Sequence, residues 1–340
     1  MGGAYKTSAA TCRLPVARAP VARNWFRANR WLVMAAAGLA LTGRAAAEVP
    51  LEIPPEEPAM TAFQALVLGA VEGFTEYLPV SSTGHLILAQ RAMGIGQTEA
   101  DNEAADAYSI SIQAGAILAV LTLYFPYLRR MLAGLLGRDA PGRQLAINMG
   151  VAFLPAAVIG LLFHGWIKEH LFGLWPIVAA WLIGGVAILV VAKTGFGDPQ
   201  KPGRGLFDIT WKQALLIGCF QCIAMWPGTS RSLVTIIGGL LAGMNLTSAV
   251  IFSFLLGVIT LTAATVYDTA THGALMLEVF GFTNLAIGFV VATVAAIISV
   301  KWFLTYLKRH GLALFGYYRI GLAIVVACLL WAGWLTDRLF

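Results

Sequence analysis

Apolar segments of about twenty residues recur along the chain, and they constrain its fold more than any other feature. A helix needs about twenty such residues to cross a bilayer, because each residue adds only ~1.5 Å along the axis. Hydrophobic residues make up 59% of the 340 residues and charged residues only 12%. The sequence therefore predicts an all-α polytopic membrane protein. Six transmembrane helices are expected, at about 107–128, 145–167, 173–193, 247–267, 284–305 and 316–335.

The basic residues between the predicted spans indicate which loops face the cytoplasm. They follow the first, third and fifth spans, and cytoplasmic loops retain an excess of Lys and Arg. Because these residues are dispersed among loops and not gathered on one face, the net charge of +6 reflects topology, and no nucleic-acid partner is expected. The residues concerned are Arg129, Arg130, Arg138, Arg143, Lys193, Lys201, Arg204, Lys308 and Arg309.

Two further apolar segments, at about 61–95 and 208–243, are not simple spans. Polar residues interrupt each segment at its middle, and a single crossing by either would violate the charge bias of the loops that follow. Each segment must therefore enter and leave on the same side, as a re-entrant helical hairpin that breaks near Pro79 or Pro227. The first is expected to dip in from outside and the second from the cytoplasm.

The two predicted hairpins resemble each other in sequence. Gln64-Ala-Leu-Val-Leu-Gly69 aligns with Gln213-Ala-Leu-Leu-Ile-Gly218, and three predicted spans follow each copy. An odd number of crossings between the copies inverts the second relative to the first, which is the arrangement of an inverted-topology repeat with a site at the repeat interface. Repeat 1 is expected at about 61–193 and repeat 2 at about 208–335, within one integral-membrane domain that covers residues 61–340.

The first sixty residues are typical of a targeting segment. Three arginines precede a short apolar stretch at 31–42, and the small residues 45–47 offer a signal-peptidase site. We expect cleavage after Ala47, with an uncleaved anchor or a misassigned start codon as the alternative. Export would place the acidic, proline-rich residues 48–58 outside the cytoplasm.

Two acidic residues lie in the polar centre of the first hairpin. Glu72 and Glu76 are four residues apart, so they share one face of a helix. A charge at bilayer depth costs about 2.5–3.5 kcal/mol, and it is kept where it faces a cavity and has a partner or a task. These two carboxylates could bind a divalent cation, Mg²⁺ or Ca²⁺, or divide into a base and an ion-pair partner for Arg231.

Three hydroxyl residues, Ser81, Ser82 and Thr83, follow the acids just beyond the predicted helix break. One of them is expected to cap the next helix. A second is then free to act as a nucleophile or a phosphate ligand. His85 lies close enough in sequence to accept its proton or to protonate a leaving oxygen.

The centre of the second hairpin carries the groups that bind an anion. Gly228, Thr229 and Ser230 lead into a helix, so backbone amides and the positive end of the helix dipole can hold a phosphate. Arg231 adds a planar guanidinium suited to bidentate contact with phosphate oxygens. Further candidate phosphate ligands, with helix capping as the alternative role, are Ser230, Ser232 and Thr235.

Residues 72–88 and 227–235 resemble the two signature motifs of the bacitracin-resistance family of undecaprenyl-diphosphate phosphatases, and the resemblance covers nearly all of residues 61–335. It implies an inner-membrane enzyme that removes the terminal phosphate of undecaprenyl diphosphate and regenerates the lipid carrier of peptidoglycan synthesis. The substrate would be a polyprenyl diphosphate lipid held among membrane lipids. The family's functional residues fall on Glu72, Glu76, Ser82, His85 and Arg231.

The chain departs from the family pattern at two positions. Leu233 replaces the usual glycine after the Ser-Arg-Ser triplet, and Ile251 replaces an acid before the Phe-Ser-Phe segment. Every position with an assigned chemical role is kept, so we expect activity to survive. We expect these two changes to affect the preference among substrates more than the activity itself.

The expected mechanism is an in-line attack on the terminal phosphorus. Ser82 is the preferred nucleophile, with His85 as general acid or base, and attack by water or by His85 itself is the alternative. Arg231, backbone amides and a divalent cation would hold the charge on the phosphate oxygens.

Two other classes of protein share parts of this pattern. An inverted repeat with an anion site at the midplane is also typical of transporters, including a lipid-phosphate flippase. A membrane phosphatase of the acid-phosphatase-like type would need a downstream histidine, and His272 is too far from Arg231 in sequence to serve. The outer-side origin of the first hairpin favours a site that opens to the periplasm, and the sequence is compatible with a homodimer.

Overall fold

The computed structural model describes residues 60–96, 99–171 and 173–335. The predicted targeting segment and its cleavage site after Ala47 lie outside these residues. Within them the chain forms ten helices: α1 (Ala62–Thr75), α2 (Ser82–Ala92), α3 (Glu99–Leu123), α4 (Phe125–Leu135), α5 (Ala140–Leu171), α6 (Leu174–Lys193), α7 (Trp211–Ile223), α8 (Arg231–Leu241), α9 (Leu246–His310) and α10 (Ala313–Trp331).

Five of these helices, α3, α5, α6, α9 and α10, are long and apolar enough to cross a membrane. This confirms the prediction of an all-helical membrane protein. Each predicted span overlaps one of the five helices, and two predicted spans, 247–267 and 284–305, fall within α9.

Helix α9 doubles back on itself. A straight helix would separate Phe254 from Phe303 by ~73 Å at 1.5 Å per residue, yet their ring centroids are 6.2 Å apart. The helical dihedral angles are interrupted at Gly281, where φ is +75° and ψ is 156°. Glycine adopts this conformation without the steric cost that a Cβ would bring. The two arms of α9, 246–280 and 282–310, therefore lie side by side.

The first predicted span, 107–128, ends earlier than the hydropathy pattern indicates. Helix α3 stops at Leu123, and Pro126 lies in the first turn of α4. Proline lacks the amide proton of a helix interior, and its ring clashes with the carbonyl four residues earlier. The apolar run therefore divides into two helices at Tyr124.

Helices α1 and α2 form the first hairpin, and α7 and α8 form the second. Each begins with a Thr–Gln capping box. The same glutamine then ties the beginning of its hairpin to the end: Gln64 Nε2 donates to the Met93 carbonyl at 3.0 Å, and Gln213 Nε2 donates to the Ala242 carbonyl at 2.6 Å. The two hairpins thus close by the same contact at aligned positions.

The first helix of each hairpin packs backbone to backbone against a long helix. A Cβ added to Gly69 would lie 2.5 Å from the Gly288 carbonyl oxygen, and one added to Gly218 would lie 2.5 Å from that of Ala152. Small residues at helix contacts allow such close approach in membrane proteins. The second arm of α9 therefore supports the first hairpin, and α5 supports the second.

Helix α6 contacts the turn of both hairpins through tryptophan side chains. Trp181 of α6 is fully buried, and its indole Nε1 donates to the Val80 carbonyl at 3.1 Å. In the second hairpin, Trp226 Nε1 donates to the Pro176 carbonyl of α6 at 3.1 Å. These contacts hold the two turns against one helix and bring their polar residues together.

Candidate active site

The turn of each hairpin ends on a serine with the same unusual backbone. Ser81 and Ser230 both have a φ of 75°, and in the described part of the chain they are the two non-glycine residues with positive φ. Each hydroxyl accepts a hydrogen bond from the amide three residues later, at 3.4 Å from Gly84 and 3.3 Å from Leu233. Ser81 is thus the helix cap among the first hairpin's hydroxyls, and Ser82 is not needed for that role.

Charged groups of the two hairpins meet between the turns. Arg231 Nη2 lies 2.9 Å from Glu76 Oε1, and both side chains are largely buried, with 11% and 6% of their surface exposed. The hydroxyl of Ser82 donates to the other carboxylate oxygen, Oε2. One carboxylate therefore contacts a cation from the second hairpin and a hydroxyl from its own. Such a carboxylate can accept the proton of a nucleophilic hydroxyl.

Arg231 is held in place by the first arm of α9. Its Nη1 donates to the Ser253 carbonyl at 2.8 Å, and its guanidinium lies where a Cβ on Gly257 would be. The hydroxyl of Thr235 lies 2.7 Å from that of Ser253. Thr235 is a candidate phosphate ligand by sequence, and the structure places it beside Ser253, the residue whose carbonyl holds Arg231.

A cavity of about 170 Å³ lies between the two turns. This volume is several times the ~30 Å³ that one water molecule occupies in the liquid, so a phosphate group fits in the cavity. Seven of the predicted site residues line it: Glu76, Ser81, Ser82, Thr83, Gly228, Ser230 and Arg231.

The remaining predicted site residues are not in the cavity lining. Ser232 instead joins the hairpins, because its hydroxyl donates to the Leu78 carbonyl of the first turn at 2.8 Å. Thr229 is buried, and its amide donates to the Trp226 carbonyl at 3.1 Å within the second turn. Glu72 and His85 also lie outside the cavity lining.

Glu72 is fully buried, and neither carboxylate oxygen has a hydrogen-bond partner among the described residues. A buried carboxylate without a partner is costly, so a cation or a proton is needed to balance it. No group of three or more His, Cys, Asp and Glu that could hold a metal occurs in the described ranges. Two carboxylates completed by substrate oxygens are a usual set of Mg²⁺ ligands, and Glu72 with Glu76 fits this chemistry.

His85 is directed away from Ser82. Its Nδ1 lies 2.6 Å from the Ser81 carbonyl oxygen, and its Nε2 lies 2.7 Å from the hydroxyl of Tyr318 in α10. Because a carbonyl oxygen only accepts, Nδ1 carries the proton, and in the neutral imidazole Nε2 then accepts from Tyr318. In this arrangement the imidazole takes no proton from Ser82.

Arg319 is a residue of the site that the two motifs do not indicate. It is fully buried in α10 and donates to carbonyls of both turns, to Pro79 at 3.2 Å and to Gly228 at 2.8 Å, and to Ala180 of α6 at 2.9 Å. The signal was present in the sequence, because an arginine inside a predicted span is a functional candidate by its cost alone. The same holds for Gln113, a polar residue of a predicted span that lines the cavity.

Comparison with known proteins identifies the family of this chain. The family model of bacitracin resistance protein BacA matches residues 65–325. The chain is 44% identical over 265 residues to the undecaprenyl-diphosphatase of Sorangium cellulosum (78% of this chain, 85% of the relative). It is 41% identical to that of Nitrosomonas europaea (81% and 97%) and 42% identical to undecaprenyl-diphosphatase 2 of Rhodospirillum rubrum (79% and 95%). The chain therefore belongs to the bacitracin resistance protein BacA family.

Proposed function

We propose that this protein is an undecaprenyl-diphosphatase, which hydrolyses undecaprenyl diphosphate to undecaprenyl phosphate and inorganic phosphate. The observation that carries the proposal is the convergence of Arg231, Glu76 and Ser82 on one cavity between the two turns. The names of the relatives support the same reaction. It would recycle the lipid carrier of cell-wall synthesis and confer the bacitracin resistance for which the family is named.

Arg231 is the group that receives the terminal phosphate. In the absence of substrate its charge is balanced by Glu76 at 2.9 Å. Phosphate oxygens can replace that carboxylate at the guanidinium, since both groups offer a pair of charged oxygens to the planar fork of arginine donors. The exchange would release Glu76 to act as a base at the moment when substrate is bound.

Ser82 is the proposed nucleophile and Glu76 the proposed base. As Ser82 Oγ attacks the terminal phosphorus, its proton passes to the Glu76 oxygen that it already contacts. The bond from phosphorus to the bridging oxygen breaks, and undecaprenyl phosphate leaves with that electron pair. Glu76 passes this proton to the departing undecaprenyl phosphate. Water then attacks the phosphoserine and its proton passes through Glu76 to the oxygen of Ser82, which restores the serine hydroxyl and releases inorganic phosphate.

A divalent cation, Mg²⁺ or Ca²⁺, would be held by Glu72 and Glu76. When bound, it would neutralise negative charge on the phosphate oxygens. The unpartnered oxygens of Glu72 support this assignment, because the described residues offer them no other partner.

In the membrane, we propose six transmembrane helices and two re-entrant hairpins in an inverted-topology repeat. The doubling back of α9 supports six spans, since each of its two arms exceeds the ~20 residues that a span requires. The matched capping contacts of Gln64 and Gln213 support the repeat. The site would open to the periplasm from the inner membrane, because the basic loops assign the first hairpin to the outer side.

The reaction is tested with purified protein in detergent, by phosphate release from a C55 prenyl diphosphate with and without EDTA. Glu76→Gln, Ser82→Ala and Arg231→Ala should each lower kcat/KM by at least ~10²-fold, the usual effect of removing a group that acts in the transition state. Glu278→Gln is the matched control, because Glu278 is exposed and outside the cavity.

EDTA should abolish phosphate release, and added Mg²⁺ or Ca²⁺ should restore it. A wild-type protein that releases no phosphate with any divalent cation would contradict the proposal. Transport of the lipid phosphate confined to sealed vesicles would then favour the flippase.

A further inference from the structure

Tyr318 of α10 contacts the candidate site through the imidazole of His85. Its hydroxyl lies 2.7 Å from His85 Nε2, and the two rings are nearly parallel, with an interplanar angle of 7°. We propose that Tyr318 is a positioning residue: through His85 it fixes the carbonyl of Ser81 and thereby the orientation of Ser82. This inference rests on the proposed function.

The hydrogen bonds run from Tyr318 through His85 to Ser81, and each donor faces the first turn. Tyr318 donates to Nε2 of His85, and Nδ1 of His85 donates to the Ser81 carbonyl oxygen at 2.6 Å. That carbonyl and the amide of Ser82 belong to one planar peptide unit. A shift of the imidazole would therefore turn the peptide that precedes the proposed nucleophile.

The imidazole is also confined by packing. The edge of Trp181 lies against it, with ring centroids 5.4 Å apart. Tyr318 covers it from α10 and is itself 46% exposed. Neither His85 nor Tyr318 lines the cavity, so both act on the reaction through the backbone of the first turn.

The backbone of Ser81 needs such support. A non-glycine residue at a φ of 75° costs about 1–3 kcal/mol and persists where its surroundings hold it in place. In the second hairpin, Ser230 has the same φ, and its hydroxyl lies 2.9 Å from that of Ser232. Val234 occupies the position of His85 there, and its side chain has no hydrogen-bond donor. The His85–Tyr318 pair therefore supplies the first turn with a support that the second turn obtains from Ser232.

Tyr318→Phe is the direct test, because it keeps the ring and removes only the hydroxyl. The kcat for phosphate release should fall by about 10-fold or more, since a misplacement of about 1 Å at a reacting group can cost 10²-fold. KM should stay within about twofold, because Tyr318 does not line the phosphate cavity. Tyr317→Phe is the matched control: Tyr317 is the preceding residue of α10 and is 66% exposed. Its kcat should equal that of the wild type.

The hydrogen bond itself is measured by ¹⁵N NMR of protein labelled at histidine, with the His85 resonances assigned from His85→Asn. The wild type should show the proton on Nδ1, and Tyr318→Phe should shift the Nε2 resonance while Tyr317→Phe does not. This readout requires no activity. An inactive wild type with the expected spectrum would therefore overturn the proposed function and leave the contact established.

A second variant pair tests whether His85 acts by position. Asparagine keeps a donor near the place of Nδ1, so His85→Asn should retain at least 10-fold more activity than His85→Ala. Equal loss in the two variants would overturn the inference. So would a Tyr318→Phe protein with wild-type kcat, or one in which KM rises and kcat is unchanged, since Tyr318 would then contact the substrate.

Discussion

The first and second hairpins share the same backbone features, but their site residues carry opposite charges. Both close through a capping glutamine, and both turns end on a serine with a φ of 75°. When Gln64 is aligned with Gln213, Ser82 falls opposite Arg231, and Glu72 falls opposite Gln221. The first hairpin thus supplies acids and a hydroxyl, and the second hairpin supplies a cation. The candidate site depends on this difference, because the ion pair between the hairpins needs one charge from each of them.

The copies also differ in the space around the beginning of their second helices. Gly84 lies against the indole of Trp181, where an added Cβ would be 2.5 Å from Cζ2. Its counterpart, Leu233, is 1% exposed and belongs to the large apolar core. The same backbone position therefore excludes a side chain in one hairpin and requires one in the other. Leu233 departs from the family pattern, and its side chain is accommodated in the core, outside the cavity lining.

The largest expected effect comes from breaking the ion pair between the hairpins. Arg231→Gln or Glu76→Gln alone should lower the free energy of unfolding by about 3–5 kcal/mol, because each variant leaves the remaining buried charge without its partner. The double variant should be more stable than either single variant, although inactive. Thermal unfolding followed by tryptophan fluorescence in detergent measures the order of the three.

The control for this prediction is an exposed ion pair of the same chemistry. Arg130 of α4 and Asp139, which directly precedes α5, lie 2.7 Å apart, with 42% and 21% of their side chains exposed. Asp139→Asn should change the unfolding temperature little, since solvent screens such pairs. Equal effects at the two pairs would show that burial between the hairpins adds nothing.

An intermediate effect is expected from the positions of Gly84 and Leu233. Gly84→Ala should cost about 1–3 kcal/mol by overpacking against Trp181, and it should also lower activity because Trp181 holds the first turn. Leu233→Ala should cost about 2–3 kcal/mol through the cavity that it leaves. The activity of each folded Leu233→Ala molecule should be unchanged. Parallel measurements of unfolding temperature and kcat separate the two outcomes.

The smallest effect is expected where the hairpins are most alike. Ser81→Ala should cost about 1 kcal/mol, the usual value for a lost helix cap. Ser230→Ala should cost more, because the hydroxyl of Ser230 also lies 2.9 Å from that of Ser232. Glycine at either position should be better tolerated than alanine, since glycine accepts a positive φ. An alanine variant as stable as its glycine counterpart would show that the backbone at that serine is unstrained.

The sequence was most informative about elements whose cost in a membrane is high. The spans followed from hydropathy, and the two hairpins followed from polar residues and prolines inside apolar segments. Local helix ends were less accessible: the early stop of α3 depends on Pro126, which the hydropathy pattern does not register. The course of α9 was predicted as two spans, and the structure keeps the connection helical up to the break at Gly281.

The pairing of site residues was not accessible from the sequence. Glu72 and Glu76 lie on one helix face, and both were candidate partners of Arg231; the packing of the hairpins selects Glu76. His85 is three residues from Ser82, yet its Nε2 contacts Tyr318, which is 233 residues away along the chain. Neither choice leaves a trace in residue type or spacing.

The sequence by itself determined that this chain is a helical membrane protein, and it indicated which short segments carry the candidate site. Burying a charge or an unpaired backbone group in lipid costs several kcal/mol, and that cost restricts polar residues to a few recognisable positions. Only the tertiary structure decided which of these residues touch. A hydrogen bond or ion pair requires atoms within about 3 Å of each other, and here that distance depends on how helices far apart in the sequence pack together.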